Sequence, residues 1–426
     1  MTISKNYSNL MIKWAKDLFP LCRSLTGNGT LSTLKYFKKI HKEIKIISFK
    51  SGTKVFDWEI PLQWEIKDSF FEHIKTKKRF AQFKKNNLHV VGYSYPVNKI
   101  LSKEKLLKHI YTLKKQPNLI PYVTSYYKKS WGFCISENQK RKLPKGDYKA
   151  FINSKLFKGE LNLGELIIKG KIKKEILIST YICHPSLAND ELSGPVLSVA
   201  LIDYIKKKFK NNKYTYRFLF VPETIGSIAY LSKKYKILKK NVIAGFVLSC
   251  VGDEKKFSLV ESRLGDKISD IAIKSSIFKK KNFKKYSYLH RGSDERQYCF
   301  PGIDLPVSVF CKSKFGDFKE YHTSADSFKI VTKKGLEESF IVMSNIIKSF
   351  EKFLYPRTKY LTEPMLSKRS LYSTISKKDV KNEDYLNIIV YCDGEHSIFQ
   401  IAIKLNKSLD YILEKINKLK IHKLIY

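Results

Sequence analysis

Four short blocks carry most of the chain's candidate chemistry: Cys183-His184-Pro185-Ser186-Leu187-Ala188-Asn189-Asp190, Pro222-Glu223-Thr224, Ser293-Asp294-Glu295-Arg296 and Tyr321-His322-Thr323-Ser324-Ala325-Asp326. Imidazole and carboxylate groups delivered by separate strands, with one position left open to water, are the usual way a catalytic zinc is held. A further carboxylate beside such an ion can take a proton from water. Each residue also has a plainer role open to it. A single histidine after a strand is commonly a hydrogen-bonded loop residue. Asp190 could cap a helix that opens at Ser193-Gly194, where Asp is favoured, and Glu223 could pair with a surface lysine. Convergence is what favours the metal reading: each block borders an apolar, strand-like run, so one rim could collect them all.

The runs that must do this positioning are Glu175–Ile182, Tyr214–Val221, Val242–Cys250 and Leu305–Cys311. Helical patterns at Pro195–Phe209, Gly226–Lys236, Ile268–Ile277 and Gly335–Phe353 alternate with them. Strands alternating with helices predict a three-layer α/β domain around a mainly parallel sheet. In such sheets ligands bind beyond the carboxyl ends of the strands. The first forty residues read as two amphipathic helices around the loop Arg23–Thr30. From about residue 44 to 120 the texture is β-rich, and Trp58 and Trp64 are assigned to that module's core rather than to a ligand site. After Tyr355-Pro356-Arg357 a polar linker leads to helical runs at Tyr385–Cys392, Ser397–Leu405 and Ser408–Leu419 and an apolar tail. This end looks like a winged helix-turn-helix. Its third helix offers Tyr411, Glu414, Lys415, Asn417, Lys418 and Lys420 as polar contacts. A DNA-reading helix needs such a face, but many modules of this kind pack on proteins, and nucleic acid is not the favoured partner.

The 426 residues carry 81 Lys and Arg against 39 Asp and Glu, a net charge of +42. A charge of that size invites a nucleic-acid reading. Yet only nine of the basic residues are Arg, and a surface that grips phosphate usually recruits Arg for its two-pronged geometry. Lysine spread from end to end reads mostly as codon background. With 43% apolar residues, 19 Gly and 13 Pro, the chain is neither collagen-like nor wholly disordered. No run approaches the roughly 18 apolar residues of a membrane-spanning helix, and the first residues lack a secretion-signal pattern. The seven cysteines are odd in number, widely spaced and never in a C-x-x-C pair, which argues against a disulfide framework or a thiolate zinc finger. A cytoplasmic protein is expected. Cys183 and Cys250 are read as packing residues near the rim rather than nucleophiles.

In order, His184, the ANDELSG loop, PETIGS, SDERQYCFPGIDLPV and YHTSADS resemble the superfamily of aminopeptidases with two co-catalytic zinc ions. The stretches LFPLCRSLTGNGT, SGTKVFDWEIPLQW, NNLHVVGYSYPV, PYVTSYYKKSWGFC and ICHPSLAND are similar, more closely, to a bacterial family of aminopeptidase-like proteins. Its members carry an inserted β-module and a C-terminal winged helix and are associated with polysaccharide biosynthesis loci. The resemblance spans residues 9–426 and implies a phosphorylase/hydrolase-like aminopeptidase fold. The chain is then expected to divide into an α/β domain over 1–45 and 125–355, an inserted module over 46–124, a linker over 356–381 and a winged-helix-like domain over 382–426.

Carried over position by position, the resemblance implies His184 and His322 as zinc-ligand histidines, Asp190 as the aspartate that bridges two metals, and Glu223 as the general base. Two positions depart from the pattern. Thr224 stands where a glutamate should ligate one ion, and Ser249 where an aspartate should ligate the other. A hydroxyl is a poor zinc ligand beside a carboxylate, so a single zinc held by His184, Asp190 and His322 is expected. In the two-metal family the two histidines serve different ions, so one ion reaching both requires a shifted centre. Asp294, Glu295 and Asp326 remain as groups that orient a ligand histidine or bind a substrate amine. Asp294 and Glu295 could equally form ion pairs with Arg291 and Arg296. The implied function is hydrolysis of an amide bond in a peptide or a small, sugar-linked substrate. The alternatives are a peptidase fold that binds or scaffolds without catalysis, and a DNA-binding regulator.

Overall fold

The structure is a computed structural model that describes residues 3–371 and 380–426; residues 372–379 of the expected linker lie outside the described residues. Eight strands form the central sheet: β1 Lys45–Lys50, β2 Glu160–Ile168, β3 Glu175–Tyr181, β4 Thr215–Val221, β5 Val242–Leu248, β6 Phe257–Val260, β7 Phe283–Tyr286 and β8 Val307–Cys311. Their order is β1-β2-β4-β3-β5-β8-β6-β7. The four central strands β4, β3, β5 and β8 run parallel, while β1, β2 and β6 join by antiparallel pairing. Every residue of β3, β4 and β8 is buried. A strand with both faces covered has no need of polar alternation, which is why these runs read as continuous apolar stretches.

Alternate side chains enter opposite cores. Ile176, Ile178, Phe218, Phe220, Phe246 and Phe310 face one, and Leu177, Leu219, Val221, Val247, Val307 and Val309 the other. Helices α1 Ile3–Leu18, α2 Asn28–Ile40, α3 Ser193–Lys208, α5 Ile268–Ile277 and α6 Lys333–Phe353 contribute to the first core, and α4 Ile225–Asn241 to the second. The expected three-layer α/β fold with a mostly parallel sheet is therefore present.

The inserted module has its own antiparallel sheet, in the order Arg79–Phe80, Gln63–His73, Asp147–Phe157, Val97–Ser102. Its longest pairing joins Gln63–His73 to Asp147–Phe157, and the second of these strands lies beyond the 46–124 stretch. At the near boundary, Lys45–Lys50 is the edge strand β1 of the large sheet. Asp147–Phe157 alternates buried and open positions, as a strand with one covered face should, whereas β2 directly after it is buried over most of its length. Trp64 is buried in this module, donates from Nε1 to the Ser94 carbonyl and stacks on Tyr93. Trp58 does not belong to the core: it is 41% exposed. The hairpin that carries it pairs only Lys54–Val55 with Trp58–Glu59, too short to be covered, and its indole meets Tyr127 edge-on.

At the C-terminal end, α7 Val380–Val390, α8 Ile398–Lys404 and α9 Leu409–Ile421 form the winged helix. Reciprocal bonds between Ser397 and Gln400 cap α8, and Ser408 caps α9. The core of this unit is continuous with the first core of the α/β domain, Asn345 of α6 bonds Asp410 of α9, and Ile425 in the tail pairs with Thr358. Among the described residues no helix is long and apolar enough to cross a membrane.

Candidate active site

Three strand ends and one long loop meet at a single rim. β3 runs out through Cys183 into His184, then into a π-helical turn Ala188–Leu192 that opens α3. Such turns are uncommon and recur at functional sites; here it turns Asn189, Asp190 and Glu191 inward together, each at most 1% exposed. β4 leads through Pro222 into Glu223, β5 into Ser249, and the loop after β8 supplies His322.

His184, Asp190 and His322 each offer a ligand atom, all within 4.8 Å of one another. His322 Nε2 lies 3.1 Å from Asp190 Oδ2, yet neither buried atom has a hydrogen-bond partner. A carboxylate oxygen and an imidazole nitrogen that face one another at 3.1 Å without hydrogen-bond geometry are a pair that a shared cation would satisfy. His184 Nδ1 shares a 2.8 Å hydrogen bond with Glu191 Oε2, which leaves Nε2 for an ion, 3.7 Å from Glu223 Oε2. The residues present therefore fit a metal ion. The other oxygen of Asp190 is engaged elsewhere. Oδ1 accepts from the Tyr181 hydroxyl at 2.6 Å, and Ser249 Oγ sits 2.5 Å from that same phenolic oxygen.

The electrostatics follow from burial set against these neighbours. Burial would depress the His184 imidazole, but the Glu191, Asp190 and Glu223 carboxylates lift it to about 10. Burial would raise Asp190, but both imidazoles and the Tyr181 hydroxyl hold it at about 2. Glu223 goes the other way: burial, opposed by His184, pushes its carboxyl up to about 8. The thiols of Cys183 and Cys250 are both raised well above their ordinary value by burial. Cys183 Sγ accepts the Glu223 N–H and Cys250 reaches Asp190, so both pack and position, as expected of them.

The remaining acids are zero per cent exposed and hold the scaffold. Asp326 accepts three backbone N–H bonds, from Ala188, Asn189 and Asp190, and so fixes the turn that carries Asp190. Asp294 accepts from the Thr224 N–H and the Ser227 hydroxyl, while Arg296 donates to Thr224 Oγ1 at 2.6 Å. Thr224 has φ 65° and ψ −74°, and the Ile225 N–H bonds the Glu223 carbonyl across it, a strained γ-turn. Asp294 and Arg296 thus hold the turn that aims Glu223. Glu295 accepts from the N–H groups of Gly292 and Ser293 in its own loop. Neither Asp294 nor Glu295 forms an ion pair with Arg291 or Arg296 among the described residues, because the Arg296 guanidinium bonds Ser293 O and Thr224 instead. Ser186, Cys250 and His322 share positive φ with Thr224. Such non-glycine strain costs on the order of 1–3 kcal/mol per residue and clusters at functional sites.

Four contributors escaped the sequence reading. Glu191 orients His184. Arg23, fully buried, donates to the His184 carbonyl and stands 3.8 Å from Glu191. Tyr181 occupies one side of Asp190. Arg23 had a signal: in a chain whose basic residues are nearly all Lys, an Arg is the exception, and Arg23 and Arg217 both sit in buried networks. Tyr122, from the inserted module, packs edge-on at 5.0 Å against both histidines and donates its N–H to the His322 carbonyl. A cavity of about 410 Å³ opens beside His322, walled by Tyr111, Tyr122, Phe318 and Tyr321.

Comparison with known proteins places the family and the fold. Residues 12–352 match the family described as a domain of unknown function, DUF4910, and residues 354–426 match a winged helix-turn-helix family. A Clostridium acetobutylicum protein provisionally named a polysaccharide biosynthesis protein with aminopeptidase-like domain is 39% identical over 420 residues, covering 96% of this chain and 95% of that protein. A C. acetobutylicum crystal structure provisionally described as a peptidase superposes with TM-score 0.89 at 36% identity, over 99% of this chain and 97% of that one. A zinc aminopeptidase from Bacillus subtilis shares the fold, with TM-score 0.55 at 13% identity, over 80% of this chain and 93% of that one.

Proposed function

This chain belongs to the DUF4910 family, with an aminopeptidase-like fold and a C-terminal winged helix, and from that premise we propose that it is a cytoplasmic, single-zinc hydrolase of an amide bond. The observation that carries the proposal is the pair of unpartnered atoms, Asp190 Oδ2 and His322 Nε2, facing each other within reach of His184. The single-ion count is supported by Tyr181. In a paired-metal site both oxygens of the bridging aspartate would face ions, whereas here Oδ1 receives a phenol that is itself backed by Ser249.

A zinc held by His184, Asp190 and His322 supplies Lewis acidity to a carbonyl oxygen and to water. The chain's own groups do the rest. Glu223, at the rim, takes the proton from the attacking water and returns it to the departing amine. Burial lifts this carboxyl above the ordinary carboxylate range, which favours it as a proton acceptor. The γ-turn at Thr224, held by Asp294 and Arg296, keeps that carboxylate beside His184. Glu191 and Arg23 hold His184 in place. The substrate is a peptide or a small conjugated amide, with its remote portion along the wall of Tyr122 and Tyr321.

The test is hydrolysis of a panel of aminoacyl anilides and N-acylated amino sugars by the wild type and by Glu223→Gln. Loss of the general base should lower kcat by about 10²–10⁴-fold. Unchanged turnover in Glu223→Gln would refute the base assignment. No turnover of any amide by the zinc-loaded wild type would favour the other reading, a peptidase fold that binds without cleaving, which the hydroxyls at Thr224 and Ser249 also suit.

A further inference from the structure

A second cavity, of about 700 Å³, opens on the inserted module and shares no residue with the ligand set. Its size is that of a typical small-molecule site. Tyr93, Tyr95 and Tyr127 line it together with Lys128, Lys129 and Lys158. Two of the rings are fixed at their tips. The Tyr93 hydroxyl shares a 2.6 Å bond with Thr26 and its ring stacks on Trp64, and the Tyr127 hydroxyl donates to the Glu59 carbonyl at 3.0 Å. Tied in this way, neither offers a free hydroxyl to the cavity, and Tyr93 is buried. Tyr127 is nonetheless 54% exposed, and Trp58 against it 41%. Ring surface left open beside a concavity is surface on which a ligand's apolar face can pack.

Three lysines would mean little by number in a chain so rich in them. Their placement is what matters: they meet on one concavity, Lys129 Nζ lies 5.7 Å over the Tyr95 ring, and among the described residues none of the three has a carboxylate within ion-pair distance. A sugar ring combines apolar C–H faces with a polar edge, and this cavity combines aromatic surface with three ammonium groups and a single carboxylate, that of Glu59, at its margin. We propose that the cavity binds a saccharide bearing a carboxylate or a phosphate. The Tyr93 ring meets Tyr126 edge-on, Tyr126 bonds Tyr122 through their hydroxyls, and Tyr122 abuts both histidines. The cavity thus lies a short relay of tyrosines from the ligand set, but the proposal concerns binding and does not depend on catalysis.

Isothermal titration of the full chain with trigalacturonate, glucose 6-phosphate and neutral maltotriose tests it. At least one of the anionic sugars should bind, and maltotriose should bind at least about tenfold more weakly. Binding of trigalacturonate alone assigns a carboxylated ligand, and of glucose 6-phosphate alone a phosphorylated one. The surface variant Lys129→Ala/Lys158→Ala, and separately Tyr127→Ala, should each weaken that binding by about tenfold or more with the melting temperature unchanged. Glu223→Gln should leave it intact, which separates this proposal from the hydrolase reading. Equal affinity for maltotriose, no binding of either anion, or unchanged affinity in the variants would overturn it. So would binding that high salt abolishes equally for every anion, the mark of non-specific attraction to a +42 chain.

Discussion

The two oxygens of Asp190 meet different partners, and that difference organises the site. Oδ1 takes the Tyr181 hydroxyl, and Oδ2 stands 3.1 Å from the His322 imidazole outside hydrogen-bond geometry. A second group of residues works behind His184. Glu191 bonds its Nδ1, and Arg23 stands against Glu191 with all three side chains nearly out of solvent. Removing one partner of a buried charge cluster leaves the other unpaired, so Glu191→Ala should destabilise the fold by about 3–5 kcal/mol. It should also weaken zinc binding by about 10–100-fold, as loss of an orienting carboxylate does. Chemical denaturation and zinc titration measure the two effects separately. A variant that loses stability but binds zinc like the wild type would mean that Glu191 supports the fold without orienting the ligand.

At the scale of elements, the site depends on how closely α3 approaches the strand ends. A Cβ on Gly194 would stand 2.2 Å from the Leu248 carbonyl oxygen and 2.5 Å from Thr180 Oγ1. Gly194→Ala must therefore push the start of α3 away from β3 and β5. Overpacking of this kind costs about 1–3 kcal/mol, and because the same helix start carries the Asp190 turn, zinc affinity should fall with it. Stability loss without any change in zinc affinity would show that the turn is positioned independently of the helix. The strands β3, β4, β5 and β8 and the helices behind them were legible because burial on both faces writes itself as unbroken apolar runs. His184, Asp190, Glu223 and His322 were legible because each follows such a run. The long strands Gln63–His73 and Asp147–Phe157 were not, since charged residues on their open face break the pattern. Glu191 was missed because a helical start was expected at Ser193, and nothing local signals a π-helical turn that buries two consecutive acids. The exposed Trp58 was misread because hydrophobicity alone does not report a two-residue hairpin.

For the molecule as a whole, the winged helix is an extension of the α/β core rather than a tethered appendage. Ile388, Ile398, Phe399, Ile412 and Ile416 share one cluster with α6. The chain should therefore melt in one cooperative transition, and removal of residues 380–426 should lower the melting temperature or leave the protein insoluble. Two resolved calorimetric transitions would show that the units fold separately. The same docking limits the third helix as a reader of DNA. Tyr411 turns inward to bond Asp384 and Lys415 is buried, leaving Glu414, Asn417, Lys418 and Lys420 of the expected contacts exposed. The net charge bears little on the site, which is built from acids, imidazoles and one of the few arginines. The most direct measurement is the zinc content of the purified full chain and of His184→Ala by mass spectrometry. The account predicts one zinc per chain, lost in the variant; two zinc ions per chain, or none in the wild type under zinc-replete conditions, would contradict it.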